Sequence, residues 1–209
     1  MYLFLSDFNI IMKFNYFTII LILFVLLLSF KMYHDSEMFQ LRCIISDVDG
    51  NEYCVRDRTK LDEAADLLAT TTTKCSKFVS MLAQKKPDDP ISKRLMEGFN
   101  PKKIRETLPT SSHTAYSENK GEKMAFCLTK NKDGNTNKLI DPNTLMFVAL
   151  HELSHIATVS VGHTPEYWKN FKYILENAVE MGLYDPVDYN KNPTGYCGMT
   201  ITDSPFYDY

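Results

Sequence analysis

The stretch Val148 to His163, VALHELSHIATVSVGH, holds the side chains best suited to chemistry in this chain. His151 and His155 stand four residues apart. On a helix that spacing puts both imidazoles on one face, a turn apart. Two imidazoles so placed can reach one metal ion at nitrogen–metal bonds of roughly 2.0–2.1 Å. Glu152 follows His151 directly, so it lies about 100° round the helix, beside such an ion rather than on it. From there a carboxylate can take a proton from a water that the ion has made acidic. The pattern H-E-x-x-H is therefore read as a hydrolytic zinc site, with His151 and His155 as ligands and Glu152 as general base.

A catalytic zinc takes three protein ligands and keeps a fourth position open. His163 is the natural candidate for the third. An unbroken helix would carry it about 12 Å along the axis from His155, out of reach. Gly162 permits a break. Thr164-Pro165-Glu166 then supplies the capping hydroxyl, the first-turn proline and the first-turn acid of a new helix. His163 falls in the corner between the two helices, from which it can fold back on the metal. The alternative is a glutamate from the second helix, Glu176 or Glu180, and the turn chemistry favours His163. The pattern H-E-x-x-H-x-x-G-x-x-H does not apply, because Thr158 and Val161 occupy its glycine and last histidine positions. A packed helix with incidental histidines is the plainer reading of the motif. It is disfavoured because the flanking LMFVAL and IATV are apolar on most faces. Burying two histidines and a glutamate there is costly unless they are paired or bind a metal.

Several elements must position this site. Asp141 as N-cap and Pro142 as first residue open the motif helix. The second helix carries Tyr167, Trp168, Phe171, Ile174, Leu175 and Ala178 as an apolar stripe and ends at Gly182. Upstream, QLRCIISDVDGNEYCVRD reads as a hairpin turning at Asp49-Gly50. Its D-x-D-G core lacks the other ligands of a calcium loop. Residues 60–84 follow helical periodicity and stop at Pro87 and Pro90. A short helix over 91–97 ends at Gly98. GEKMAFCLTK alternates as a half-buried strand, followed by a turn at NKDGN. The expectation is an α+β fold. Residues 36–209 make one zincin-like domain, a small, mostly antiparallel sheet with active-site helices.

Residues 1–35 are of another kind. Phe14 to Phe30 is free of charge and lies between Lys13 and Lys31. It is longer than the apolar core of a signal peptide, and no A-x-A-like site follows. It reads as an uncleaved, single-pass membrane anchor, with a cleaved signal as the alternative. The lysine on each side leaves the orientation open. The net charge is −3, with no long Lys/Arg run, so no nucleic-acid partner is expected. Cys43, Cys54, Cys75, Cys127 and Cys197 are odd in number and form no C-x-x-C pair. No N-x-[S/T] acceptor follows the anchor either. Both observations lean towards reduced thiols and an unglycosylated chain.

HELSHIATVSVGHTPEYWKNF resembles the core of the WLM and SprT-like zinc metallopeptidases. These join H-E-x-x-H to a later GH or HG and an aromatic pair like Tyr167-Trp168. The likeness is best over residues 141–181. TAYSENKGEKMAFCL and NPTGYCGMTITDSPF further resemble metallopeptidase-like proteins of large DNA viruses and some protists, many of them membrane-anchored. The resemblance implies Zn2+ held by His151, His155 and His163, Glu152 as the base, and a protein or peptide substrate. The anchor and the lack of a DNA-binding tail depart from the DNA-repair branch, so only the peptidase chemistry is carried over. In such folds an extended substrate pairs with an edge strand beside the metal. KMAFCLT is the expected strand. Tyr116, His113 and Tyr196 are candidates for an oxyanion stabiliser, with nothing in the spacing to choose among them, and ordinary loop roles are the simpler reading. The competing function is a catalytically inactive membrane protein with a structural zinc. Glu152 argues against it, since a structural site needs no base and closes with a fourth protein ligand.

Overall fold

A computed structural model of the chain describes residues 16–34, 41–132 and 138–208. They belong to two units, divided between Gln40 and Leu41. The first contributes α1 (Tyr16–His34), a helix long and apolar enough to cross a membrane. The Lys13 flank of that segment lies outside the described residues, as does most of the turn at NKDGN.

The second unit begins with an antiparallel hairpin, β1 (Leu41–Ile45) and β2 (Glu52–Arg56). It turns where Asp49-Gly50 implies: Gly50 has φ +72°, and Asp49 Oδ1 accepts from the Asn51 amide. The long helix α2 (Leu61–Lys85) buries Ala64, Ala65, Leu68, Phe78 and Leu82. α3 (Pro90–Gly98) is capped by Asp89, which accepts from the Ile91 amide. A three-stranded sheet follows, with β3 (Ile104–Glu106), β4 (Ala115–Glu118) and β5 (Lys123–Phe126) in the order β3-β5-β4. α4 (Pro142–Ala157) and α5 (Pro165–Glu180) come next, then the hairpin β6 (Thr194–Tyr196) and β7 (Met199–Ile201). The architecture is mixed α+β with small sheets. Among the described residues every strand pairing is antiparallel except that of β3 with β5.

α4 runs through the core and is buried on nearly every face, as its apolar flanks require. Phe147 packs against Phe171 of α5 at 5.3 Å and against Tyr189 at 4.7 Å between ring centroids. β2 is tied to β3 by a buried polar network. Glu106 accepts from the Arg56 amide and pairs with Arg58, while the Arg56 guanidinium donates to the carbonyls of Thr107 and Lys132. Paired partners make such buried charges tolerable.

Two expectations are corrected. The KMAFCLT segment contains β5, which is the central strand, paired on both sides; the edges of the sheet are β3 and β4. Nor is the strand half-buried: Ala125 and Cys127 are as buried as Met124, Phe126 and Leu128, because the alternation of large and small apolar residues shows neither burial of the second face nor place in a sheet, which depends on neighbours as short as β3 and β4. The cysteines are mostly paired, as Cys43–Cys54 and Cys127–Cys197, with Cys75 free and buried. Cys43 and Cys54 sit opposite each other in the β1–β2 register. Cys127 and Cys197 are 70 residues apart in sequence and meet only once the fold has formed.

Candidate metal centre

Asp141 starts α4 as predicted, its carboxylate accepting from the Thr144 amide at 2.9 Å. The helical repeat then turns His151 and His155 to one partly exposed side, ring centroids 5.0 Å apart, while Glu152 is buried. α4 ends at Ala157, and Thr158 is already extended. Gly162 adopts φ +84°, a left-handed conformation that glycine reaches without steric penalty. Thr164 then caps α5, its hydroxyl accepting from the Tyr167 amide. Between the two, His163 folds back. Its Nε2 lies 3.1 Å from Nε2 of His151, and its ring is 4.9 Å from that of His155.

One ring nitrogen from each of the three histidines lies within 4.8 Å of the others. Four-coordinate zinc with bonds of about 2.0–2.1 Å holds its nitrogen ligands roughly 3.3–3.4 Å apart. The His151–His163 pair, at 3.1 Å, is already near that spacing. Glu176 is exposed, and Glu180 pairs with Lys85 at 2.5 Å. Neither belongs to the histidine cluster.

Tyr167 is the residue sequence reasoning undervalued, reading it as part of an apolar stripe and of an aromatic pair with Trp168 but with no role at the metal site. It is fully buried, and its ring stacks on His155 at 4.4 Å. It meets His163 at 4.7 Å and His151 at 5.2 Å edge to face. Its hydroxyl donates to the backbone carbonyl of His151 at 3.3 Å. One side chain therefore touches all three imidazoles. The available signal was its position just inside the helix that His163 precedes.

Burial, reinforced by the neighbouring histidines, pushes His151 down to about 3. Burial, then His163 and Lys120, pushes His155 down to about 4. Both imidazoles are therefore neutral at pH 7, the form that ligates metal. Burial alone pushes Glu152 up to about 8. A divalent cation nearby would act in the opposite sense and favour the carboxylate.

The histidines and Glu152 line a cavity of about 810 Å3. His113, Tyr116 and Tyr196 line it as well. The Tyr196 hydroxyl is occupied, accepting from the Cys127 amide and donating to the Thr114 carbonyl, both at 3.2 Å. That of Tyr116 accepts from Arg105 at 3.3 Å, and His113 is exposed. Ala115, Tyr116 and Ser117 of the β4 edge border the same cavity.

No protein-family model matches the chain, and no solved structure gives a significant match. It is similar to an uncharacterized protein of Acanthamoeba polyphaga mimivirus, 28% identical over 162 residues, which cover 76% of this chain and 81% of the relative. It is also similar to uncharacterized proteins of two further viruses. With that of Invertebrate iridescent virus 6 it is 38% identical over 64 residues, 31% of this chain and 35% of the relative. With that of Invertebrate iridescent virus 3 it is 40% identical over 55 residues, 26% of this chain and 35% of the relative.

Proposed function

We propose that this chain is a zinc metallopeptidase of zincin-like fold, held at a membrane by α1 as a single-pass anchor. The observation that carries the reading is the convergence of His151, His155 and His163 on one point of a peptide-sized cavity that Glu152 also lines. An all-imidazole set suits zinc, copper, iron or nickel. A buried carboxyl beside it suits hydrolysis, for which redox-inert zinc is the fitting ion. When bound, zinc supplies the Lewis acidity that makes water a nucleophile at neutral pH and polarises a peptide carbonyl.

The chain's own groups do the rest. His151, His155 and His163 hold the ion, and Tyr167 keeps their rings in place. Glu152 accepts the proton of the attacking water and passes it to the amide nitrogen as the peptide bond breaks. The free edge of β4 offers backbone groups to an extended substrate.

The test uses full-length protein in detergent, assayed for metal content and for hydrolysis of an unfolded protein. About one zinc per chain and chelator-sensitive cleavage are expected. Zinc without any cleavage would favour the structural-zinc reading, and no metal would remove both. For the anchor, the chain should resist alkaline carbonate extraction with its N-terminal segment retained.

A further inference from the structure

We propose that Lys120 and Glu166 clamp the 158–162 loop between them, and that this clamp delivers His163 to the other two histidines. The proposal rests on reading the three histidines as a metal centre. The loop's other ties are side-chain bonds at its two ends: the buried Thr158 hydroxyl donates to the Ser154 carbonyl and accepts from Asn170, and Ser160 Oγ lies 2.7 Å from Thr164 Oγ1. Val159 and Val161 are 68% and 88% exposed, so no apolar packing fixes their place.

The hydrogen bonds on its backbone come from those two side chains. The Lys120 ammonium donates to the carbonyl of Thr158 at 2.6 Å, with those of His155 at 3.2 Å and Val159 at 3.4 Å in reach. These include the last carbonyls of α4, which have no partner within the helix and attract a cation. Glu166 accepts from the Val159 and Ser160 amides, at 3.3 and 3.2 Å. A cation thus holds the loop's carbonyls and an anion its amides. Gly162 and His163 follow directly.

The position of Lys120 is itself enforced. Asn119 and Lys120 have φ of 48° and 56°, left-handed values that are uncommon for residues with a Cβ. The turn is pinned where two backbones cross. A Cβ on Gly121 would lie 2.6 Å from the Gly98 carbonyl oxygen and 2.5 Å from Ile156 Cδ1. A Cβ on Gly98 would collide with the Lys120 carbonyl and lie 2.7 Å from Ile156 Cγ2. The end of α3 and the 119–121 turn therefore press together onto Ile156, the residue after His155. A chain of contacts runs from Gly98 through Gly121 and Lys120 to the loop. Lys120 and Glu166 are positioning residues; they act on the centre through His163.

The experiment compares full-length wild type with Lys120→Met, Lys120→Arg and Glu166→Gln. Hydrogen exchange is read first in metal-free protein. The Val159 and Ser160 amides should exchange about tenfold faster or more in Lys120→Met and Glu166→Gln. They should stay near wild type in Lys120→Arg, and amides of α4 should not change. Cobalt titration of the same proteins follows. Affinity should fall by about 10–100-fold in the first two variants, as for other supports of metal ligands. The intense visible bands of a four-coordinate site should weaken with it. A role of charge alone predicts the opposite sign, because removing an ammonium near a divalent cation would tighten binding. Tighter cobalt binding in Lys120→Met, or unchanged exchange at Val159 and Ser160, overturns the clamp. If Lys120→Met loses protection throughout the unit, Glu166→Gln decides by exchange at Val159 and Ser160 alone, because loss of an anion weakens cobalt binding by charge as well. A wild type that binds no metal overturns the metal centre, while the exchange result still decides the clamp.

Discussion

His151 and His155 reach the candidate centre by a different route from His163. The first two sit on one helix, and the 3.6-residue repeat alone sets their separation. That helix is packed on almost every side, so neither can move without moving the core. His163 sits on a loop with exposed neighbours, placed by Gly162, the Thr164 cap, the nearby Glu166 and one side chain from a distant segment, Lys120. Two candidate ligands are therefore fixed by one helix, and the third by a loop whose local turn is completed by a single long-range contact. The pair should set whether a metal binds at all, and the loop ligand how tightly.

The sharpest break of that comparison is loss of the helical pair. His151→Ala or His155→Ala should abolish both zinc binding and hydrolysis, read by metal analysis and a cleavage assay. Full zinc occupancy in either variant would remove the site. Glu152→Gln should keep zinc and lose hydrolysis, by roughly 10²–10⁴-fold for the base contribution alone. Equal cleavage by that variant would place the base elsewhere. His163→Ala should weaken zinc sharply without abolishing binding, while Glu176→Ala and Glu180→Ala leave it unchanged. The reverse pattern would hand the third position to a glutamate of α5.

The smallest effect is on stability and needs no metal. In metal-free protein the buried Glu152 keeps its proton up to about pH 8, whereas unfolding returns it to the ordinary glutamate value of 4.5. The folded state then binds more protons than the unfolded one, so stability falls as pH rises between those values. Metal-free Glu152→Gln lacks that loss. It should melt several degrees above metal-free wild type at pH 8, with the gap closing towards pH 5. His151 and His155, pushed down by burial, cost stability in the other direction, as pH falls below 6.5. An unchanged gap across that range would mean the carboxyl is not desolvated as described.

The same division explains what the sequence made legible. Asp141-Pro142, Thr164-Pro165, Asp49-Gly50 and the histidine pair are short-range signals, and each lies where its local chemistry puts it. β3, β4, β6 and β7 are three or four residues long, too short to display a period. Without them the central place of β5 could not be read. Lys120 looks like any surface lysine until Gly98 and Gly121 cross. Tyr167 looks like core until three imidazoles are seen against it. The cysteine pairs likewise depend on register and on a separation of 70 residues.

The Cys127–Cys197 bond has one more consequence. Residues 151–163 lie wholly inside the covalent ring it closes. In the chain-entropy account, a ring of that length restrains the unfolded chain by about 4 kcal/mol, all of it acting on the segment that carries the three histidines. A ring also hides damage. A cut at the exposed Val159–Val161 stretch would leave both pieces linked, and the nicked molecule would migrate as one band until the bond was reduced. Integrity of any sample is therefore to be judged on a reducing gel, because an unreduced one cannot distinguish a whole ring from an opened one.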